Sequence, residues 1–221
     1  MKLAIFDFDG TLMKIDSLSY LLHMWSKMGY PKRRQWQIYG LIGGLYIRYK
    51  LGLNGRRSAE QMRKTALQKF TRIFTGMNRA QIDEFFDKSV ELISDNMNDK
   101  VVAEVAALRK QGYHTVLLSG FYDALLSRVA AKVNIDTTLG TKMRFESDLI
   151  QVKKPMDIKT GVDKVHRICE EFPTADLAAS CSYADSILDL DLLELVGTPV
   201  TVAPDAELRA IAVQRHWRII E

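Results

Sequence analysis

The chain of 221 residues carries 31 Lys and Arg against 27 Asp and Glu, and 47% of its residues are hydrophobic. This composition is typical of a soluble globular protein and excludes a disordered or a fibrous one. The length suffices for one core domain, with or without a smaller insert. The two cysteines, Cys169 and Cys181, are too few for a disulfide framework and lack the spacing of a metal site, which favours a reducing compartment.

The first apolar run, residues 3–6, predicts a short buried strand and not a targeting segment. Asp7 and Asp9 interrupt the run almost at once, whereas a secretory signal needs a longer apolar stretch. No other segment approaches the roughly 20 apolar residues that span a bilayer. We therefore expect a cytoplasmic protein.

Residues 14–85, which follow this strand, show helical periodicity and no convincing strand pattern. They hold 14 Lys and Arg against 4 Asp and Glu, a net charge of +10, so the rest of the chain carries −6. The simplest organisation is a basic α-helical cap over residues 14–85, inserted after the first strand into an acidic core made of residues 1–13 and 86–221.

Strands and helices alternate through the rest of the chain. Helices are predicted over residues 99–111, about 122–133, 189–196 and 206–216, strands over residues 114–118, 177–181 and 199–202, and a small β flap over residues 138–152 with its turn at residues 146–148. Repeats of strand, turn and helix predict an α/β fold with a Rossmann-like, doubly wound parallel sheet. In such sheets, ligands bind beyond the carboxyl ends of the strands.

Asp7 and Asp9 follow the first predicted strand at this end of the sheet. A lone aspartate here is as often a helix N-cap or a partner for loop backbone. Two carboxylates so close together repel each other, and a cation relieves that repulsion. Mg²⁺, which binds one or two carboxylates together with substrate phosphate, is the predicted cation.

Other polar residues follow the later predicted strands. Ser119 and Gly120 offer a hydroxyl and a free N–H for a phosphate oxygen. Lys164, at the start of a helix, could bring positive charge to the same place, and Asp185 and Asp189 add two carboxylates after the strand at residues 177–181. Taken singly, each has a structural explanation, because the serine and the second aspartate could be N-caps and the lysine could be solvated.

Taken in order, these residues resemble the signatures of the haloacid dehalogenase superfamily of phosphotransferases. The four similar segments are DFDGT at residues 7–11, LLSG at residues 117–120, Gly161-x-x-Lys164 and Asp185-x-x-x-Asp189. The long insert between the first and second segments resembles a subclass with a helical cap. The sequence over residues 185–220 is similar to its phosphoserine phosphatase-like branch nearly throughout.

The resemblance implies a role for each matching residue. Asp7 would be the nucleophile that takes the phosphoryl group as an aspartyl phosphate, and Asp9 the general acid and base. Mg²⁺ would be held by the Asp7 side chain, the Asp9 carbonyl and Asp185. Ser119, Gly120 and the catalytic Lys164 would bind the phosphate, and Lys159 is the alternative to Lys164. Asp189 and Thr11 would support the site.

The sequence thus predicts a Mg²⁺-dependent phosphomonoester hydrolase that acts on a small molecule. Asp16 falls where phosphoserine phosphatases carry a substrate-contacting Glu, which suggests an amine-bearing substrate. Arg56 and Arg57 are only candidates for the contact with a substrate carboxylate. Three alternatives stay open. The enzyme could be a phosphomutase, which uses the same chemistry, or its substrate could be a lipid or other amphiphilic phosphate. The protein could also be a non-catalytic basic binding module.

The helix predicted over residues 35–53 is apolar around much of its circumference and has basic residues at its ends. Helices of this kind are usually core, although Gly43 and Gly44 could break the helix or mark close packing. Alternatively, the apolar face meets a membrane and the basic residues meet anionic head groups. Contact with a membrane surface through the cap is therefore an alternative, whereas no nucleic-acid partner is expected.

Overall fold

The computed structural model describes residues 1–50 and 59–221. The strands are β1 (Leu3–Phe6), β2 (His114–Tyr122), β3 (Thr137–Thr141), β4 (Phe145–Glu146), β5 (Leu149–Ile150), β6 (Cys181–Ala184), β7 (Thr198–Val202) and β8 (Arg218–Ile220). The helices are α1 (Ser17–Lys27), α2 (Lys32–Lys50), α3 (Ala59–Phe70), α4 (Arg79–Glu91), α5 (Asp99–Lys110), α6 (Asp123–Val133), α7 (Val162–Glu171), α8 (Leu190–Glu194) and α9 (Ala206–Gln214).

Six of the strands form one parallel sheet in the order β3-β2-β1-β6-β7-β8. β1 lies in the middle, and its four residues are all apolar and all buried. Leu3 pairs with His114 of β2 on one side, and Ala4 pairs with Cys181 of β6 on the other. The apolar run is continuous because both faces of a parallel sheet are covered. The carboxyl end of β1 therefore brings Asp7 to the middle of one end of the sheet.

The side chains of β1 alternate between two apolar layers, as a strand requires. Ala4 and Phe6 belong to the layer that includes α5 and α6, whereas Leu3 and Ile5 belong to the layer that includes α7 and α8. Helices thus cover both faces of the sheet, and the predicted doubly wound α/β fold is confirmed.

Helices α1 to α4 lie between β1 and β2 in the chain, and the described part of residues 14–85 contains no strand. Aromatic side chains of α4 and of the 3-10 turn that follows α3 (Thr71–Phe74) pack on one another, with 5.6 Å between the ring centroids of Phe74 and Phe85. Phe74 also contacts Tyr122 at the end of β2, so the cap helices and the sheet share one apolar cluster. The predicted boundary at residue 85 falls inside α4, and the division into cap and core stays a prediction.

The strand predicted over residues 177–181 is wrong, because β6 begins only at Cys181. The carboxylate of Asp176 accepts the Ala179 N–H at 3.0 Å, and its carbonyl accepts the Ser180 hydroxyl at 2.6 Å. The Ser180 N–H in turn donates to the carbonyl of Leu177 at 3.2 Å. These bonds bend the chain into a turn that apolar content alone does not reveal.

The predicted flap is also too large. β3 (Thr137–Thr141) pairs with β2 and belongs to the central sheet, so only β4 and β5 form a hairpin. Ser147 and Asp148 make its turn at φ values of +47° and +64°. The strand β8 is a further addition to the prediction, whereas the helices predicted beyond residue 98 are confirmed with ends that differ by one or two residues.

Helix α2 is continuous from Lys32 to Lys50, and residues 51–53 of the predicted helix lie outside the described residues. A Cβ added at Gly43 or Gly44 would meet no atom of the described structure within 4 Å, so the glycines neither break the helix nor mark close packing. Ile38 and Leu45 are buried, which makes one side of this helix core. Across residues 1–50 and 59–221, no helix has the length and apolarity that crossing a bilayer requires.

Candidate active site

A tight turn after β1 places Asp7 and Gly10 beside the end of β6. The Asp7 N–H donates to the Tyr183 carbonyl at 3.0 Å, and the Leu12 N–H then returns to the Asp7 carbonyl at 3.3 Å. Gly10 has a φ of +76°, and a Cβ there would lie 2.2 Å from Asp185 Oδ2. A side chain at residue 10 is therefore excluded both by the backbone conformation and by the carboxylate behind it.

Three carboxylates meet at this point. Asp7, Asp185 and Asp189 can each present an oxygen within 4.8 Å of the others. The Lys164 ammonium donates a hydrogen bond to Asp7 Oδ1 at 2.6 Å. It also lies 2.6 Å from Asp189 Oδ1, where the two groups form an ion pair but are not aligned for a hydrogen bond. The lysine and both of these aspartates are buried. Four residues predicted for the site are thus direct neighbours.

Burial dominates the electrostatics of this cluster. It raises the pKa of Asp7, and the nearby Lys164 charge opposes that rise. Burial, followed by the charges of Asp7 and Asp189, raises the pKa of Asp185 to about 7, with Arg63 acting in the opposite direction. Burial alone would lower the pKa of Lys164, but Asp189 and Asp7 outweigh it and raise that pKa, so the lysine stays charged at neutral pH.

The cluster has the composition of a divalent cation site. One ammonium among three carboxylates leaves an excess of negative charge at one point. Burial, together with repulsion between neighbouring carboxylates, raises the pKa of Asp7 and of Asp185, and a bound cation would favour the charged form of each. Hard cations such as Mg²⁺ prefer carboxylate oxygens. The residues present therefore fit a divalent metal.

The Asp9 carboxylate is held by the first residue of α1. Ser17 donates its N–H to Asp9 Oδ1 at 2.7 Å and its hydroxyl to Oδ2 at 3.0 Å. Burial, followed by the charges of Asp16 and Asp7, raises the pKa of Asp9 to about 7, although the bonds from Ser17 lower it. A carboxyl group with this pKa can give and take a proton near neutral pH. Sequence reasoning missed Ser17, because nothing marks a serine eight residues away as a partner.

β2 is irregular where the predicted phosphate binders lie. Its register with β3 shifts between Leu118 and Tyr122, and the buried Ser119 hydroxyl accepts the Phe121 N–H at 3.1 Å. A Cβ at Gly120 would lie 3.0 Å from backbone of the segment before α7. The predicted strand ended at residue 118, whereas β2 continues through this bulge. Bulges of this kind redirect side chains at functional sites.

The structure separates the two candidate lysines. Lys164 is buried among carboxylates, whereas Lys159 is partly exposed and pairs with the exposed Asp157 at 3.1 Å. Lys164 is therefore not a solvated helix residue, and its phosphate-binding role stays a prediction. Thr11 is fully buried, and its hydroxyl has no hydrogen-bond partner in the described part of the chain.

Asp16 is the N-cap of α1. Its Oδ1 accepts the N–H of Ser19 at 2.8 Å and the hydroxyl of the same residue at 2.9 Å. The side chain is exposed and near enough to Asp9 for its charge to raise the pKa of that residue. The structure thus gives Asp16 a capping role beside the predicted general acid.

Helix α3 of the cap contacts the segment that leads into α7. The Thr160 hydroxyl donates to Glu60 Oε1 at 2.9 Å. Lys64 lies 3.1 Å from Glu60 Oε1 and 2.7 Å from Asp163 Oδ2. Gly161 has a φ of +55°, and a Cβ there would lie 3.1 Å from the Glu60 carboxylate. The contact was not predicted, since Glu and Lys four residues apart are common on any helix surface.

Arg63 brings a positive charge from the same helix toward the carboxylates. Its Nη2 lies 3.5 Å from Ser186 Oγ, and its charge acts to lower the pKa of Asp185. Sequence reasoning considered Arg56 and Arg57 and missed this arginine, because basic residues are numerous throughout the cap. Those two candidates lie outside the described residues.

A family model described as haloacid dehalogenase-like hydrolase matches residues 4–194. The chain belongs to this family. The matched range contains all four segments that resemble the superfamily signatures. The resemblance and the prediction of an enzyme are both confirmed.

Relatives of this hydrolase are phosphoserine phosphatase-like. The chain is 25% identical over 222 residues to phosphoserine phosphatase SerB1 of Mycobacterium tuberculosis, a match that covers 98% of this chain and 69% of that protein. A protein of unknown function from Bordetella pertussis Tohama I has a similar structure, with a TM-score of 0.80, 21% identity and coverage of 100% of this chain and 98% of that one. A phospho-aspartyl intermediate analogue of phosphoserine phosphatase has a TM-score of 0.64 at 14% identity, covering 99% of this chain and 92% of that one. These structures share the fold of this chain.

Proposed function

We propose that this hydrolase is a Mg²⁺-dependent phosphomonoesterase that works through an aspartyl phosphate on Asp7. The observation that carries the proposal is the buried cluster in which the Lys164 ammonium lies 2.6 Å from both Asp7 and Asp189. An ordinary buried ion pair balances its charges, whereas this cluster has one cation for three carboxylates. Such a site is suited to a bound cation and a phosphoryl group together.

Asp7 and Asp9 would divide the chemistry. A carboxylate oxygen of Asp7 attacks phosphorus while the ester P–O bond breaks, and Asp9 gives its proton to the leaving oxygen. Water then attacks the phosphorus of the phosphorylated Asp7 while Asp9 takes a proton from it, and the acyl phosphate bond breaks. Inorganic phosphate leaves and the Asp7 carboxylate is restored. The Asp9 pKa of about 7 supports proton transfer in both directions.

Other residues would stabilise charge on the phosphoryl oxygens. The Ser119 hydroxyl, the Gly120 N–H and the Lys164 ammonium are the proposed contacts. The metal would be held by the side chains of Asp7 and Asp185 and by the Asp9 carbonyl, with Asp189 and Thr11 in support. When bound there, Mg²⁺ withdraws charge from the phosphoryl group.

We infer a small phosphomonoester as the substrate and an amine-bearing, phosphoserine-like molecule within that class. The name of the M. tuberculosis relative supports this choice. Asp16 supports it too, because both of its hydrogen bonds from Ser19 use Oδ1, and Oδ2 has no partner among the described residues. That exposed oxygen beside Asp9 could accept a bond from a substrate ammonium group.

The other predicted functions rank lower. An amphiphilic phosphate stays the alternative substrate. A phosphomutase would need to keep water away from the phosphorylated Asp7. A non-catalytic module is the weakest alternative, because all four signature segments keep their charged residues. A cytoplasmic location and the absence of a nucleic-acid partner stay predictions.

The test is phosphate release from p-nitrophenyl phosphate by the wild type and two aspartate variants. We expect Asp7→Asn to lower kcat by roughly 10⁴-fold or more, as loss of a nucleophile does. Asp157→Asn, whose side chain is 71% exposed, is the matched control and should keep the wild-type rate. A fully active Asp7→Asn protein would rule out the nucleophile.

Metal dependence is tested on the same substrate. EDTA should stop turnover and Mg²⁺ should restore it, and beryllium fluoride should inhibit as an analogue of the phosphoryl group on Asp7. Undiminished activity after exhaustive chelation would rule out the metal. Turnover of a panel that includes phosphoserine, other small phosphomonoesters and a lipid phosphate would then rank the substrate classes.

A further inference from the structure

Helix α2 has two apolar sides, and among residues 1–50 and 59–221 only one of them packs against other helices. Ile38 and Leu45 are buried on one side. The exposed apolar residues are Trp36 (70% exposed), Tyr39 (46%), Tyr46 (47%) and Ile47 (58%). Helical spacing places Trp36 and Ile47 opposite the buried pair, and Tyr39 and Tyr46 on one flank between the two sides. We name these four residues the aromatic face of α2.

The charges on α2 have one sign. Its sequence contains five basic residues and no Asp or Glu: Lys32, Arg33, Arg34, Arg48 and Lys50. Helical spacing places Lys32 and Lys50, one at each end, on the same side as Trp36. In the described part of the chain, neither Lys32 nor Arg33 forms an ion pair with an acidic residue. The aromatic face is therefore bordered by positive charge at both ends.

Positive charge continues beside the helix. Arg34 and Arg72 line an open cleft of about 490 Å³ next to α2, and Arg48 and Lys69 line a second cleft of about 360 Å³. Neither cleft is lined by a residue of the carboxylate cluster. No residue of the aromatic face lines either cleft, so Arg34 and Arg48 lie on the flank of α2 that faces the clefts. The charges that border the aromatic face itself are Lys32, Arg33 and Lys50.

We propose that the aromatic face of α2 binds the surface of a bilayer that contains anionic phospholipids. Tyr and Trp favour the boundary between membrane and water because each combines an apolar ring with a polar group. Lys32, Arg33 and Lys50 would meet lipid phosphates, and each charge near the surface strengthens binding about fivefold. The helix would lie in the plane of the interface and would not cross the membrane.

A bilayer fits this surface better than a nucleic acid or a second copy of the chain. A nucleic acid would neutralise the same charges, but exposed Ile47 offers it neither a charge nor a ring on which to stack. A second copy that docks this face on itself would bring like charges of α2 together. Anionic lipid matches both the charge and the apolar side chains.

The experiment is co-sedimentation of the full chain with phosphatidylcholine vesicles that contain or lack phosphatidylglycerol. We expect binding only to the anionic vesicles at low salt. Binding should weaken as ionic strength rises from about 0.01 M to 1 M, because the screening length falls from about 30 Å to about 3 Å. A wild-type protein that stays in the supernatant at low salt overturns the proposal.

Paired variants separate the apolar and the charged contributions. Trp36→Ser combined with Ile47→Ser should weaken binding at least about tenfold, whereas Val213→Ser, at a residue 62% exposed on α9, should not. Lys32→Glu combined with Arg33→Glu should weaken it about 25-fold or more. The control is Lys110→Glu combined with Lys142→Glu, which reverses two exposed charges elsewhere on the chain. Equal weakening in a variant and its control overturns the assignment to α2.

A spectroscopic measurement reports on the face directly. Of the three tryptophans, Trp25 is fully buried, and Trp217 is partly buried beside Arg215. A blue shift of tryptophan emission on addition of anionic vesicles should therefore vanish in Trp36→Phe, whereas a shift that persists in this variant would come from Trp217 and overturn the assignment to α2. Without vesicles, every variant should keep the wild-type circular dichroism spectrum and Tm, which shows that each one folds and keeps this test independent of the proposed function. Binding to RNA without binding to vesicles, or a dimer that Trp36→Ser dissociates, would overturn the proposal in favour of those partners.

Discussion

The carboxylate cluster at the end of the sheet and the aromatic face of α2 differ in where their charges lie. In the cluster, Asp7, Lys164 and Asp189 are buried and lie within hydrogen-bond distance of an opposite charge. On α2, Lys32 and Lys50 are exposed and stand beside exposed aromatic rings. Burial strengthens each electrostatic interaction, so its energy depends closely on the distance between the charges. Water and salt screen the interactions of the charges on the surface.

The difference teaches where single substitutions should matter. In the cluster, the loss of one group leaves the others buried without a partner, which is costly. On the cap surface, the loss of one charge removes one small and nearly independent contribution. Turnover should therefore depend on a few core residues, and partner or substrate selection on many cap residues.

After loss of the nucleophile itself, removal of the buried cation should have the largest effect. In Lys164→Met, Asp7 and Asp189 lose their shared partner, so we expect kcat/KM to fall by roughly 10²–10³-fold and the free energy of unfolding to fall by roughly 3–5 kcal/mol. The measurements are steady-state kinetics and urea unfolding. Lys159→Met removes a partly exposed lysine in the same segment and should change the unfolding free energy by no more than about 0.5 kcal/mol. Equal losses in both variants would contradict the special position of Lys164.

A methyl group at residue 10 should have the next largest effect. Gly10→Ala places a Cβ 2.2 Å from the Asp185 carboxylate in addition to straining a φ of +76°. Gly112→Ala is the matched control, since its φ is +78° and its Cβ would meet no described atom within 4 Å. The control should lose about 1–2 kcal/mol of stability from backbone strain alone. Gly10→Ala should lose more stability than the control, and its kcat should fall by about 10²-fold because Asp185 is displaced. Equal losses of stability in the two variants would show that the close approach to Asp185 is unimportant.

Mg²⁺ should stabilise the carboxylate cluster and leave the cap unaffected. A cation bound to the folded state alone at about 100 times its dissociation constant adds about 2.7 kcal/mol, which raises Tm by roughly 5–10 °C in a chain of this size. Differential scanning fluorimetry with and without Mg²⁺ measures the shift. Asp185→Asn should abolish it, whereas Asp157→Asn should retain it. A shift of the same size in both variants would place the ion elsewhere.

The contact between the cap and the core should have the smallest effect. Glu60→Gln keeps the shape of the side chain but weakens its bonds to Thr160 and Lys64. We expect KM for p-nitrophenyl phosphate to rise about threefold to tenfold, as the loss of about 1 kcal/mol implies, with little change in Tm. Glu84→Gln is the control, because Glu84 also pairs with a lysine four residues later, Lys88, but on the exposed side of α4. An unchanged KM in Glu60→Gln would show that this contact does not position the segment before α7.

The sheet and the carboxylate cluster were predictable because both follow from local patterns. Four apolar residues in a row predicted β1, and the convergence of parallel strands at one end predicted that Asp7 and Asp185 would be neighbours. The strand at residues 177–181 was wrong because a side-chain bond, Asp176 to the Ala179 N–H, turns a segment whose composition suits a strand.

Contacts of the cap were not predictable in the same way. Periodicity shows that a segment is helical, but it does not fix which side packs or what it meets. Ser17 and Glu60 contact Asp9 and Thr160 only because their helices are placed against the core. For the same reason, the sequence showed that α2 is apolar around much of its circumference, and only the structure distinguished buried Ile38 from exposed Trp36.

The central position of β1 has a consequence for synthesis of the chain. Leu3 pairs with His114, and Ala4 pairs with Cys181, so both partners of β1 are made long after it. At roughly 5–20 residues per second, the strand waits about ten seconds or more for β6. The strand has two unpaired edges until β2 is made and one until β6 is made, and unpaired apolar edges are where nascent chains aggregate or chaperones bind. The strand that carries Asp7 is the first part of the site to leave the ribosome, and it cannot be enclosed before β6 arrives.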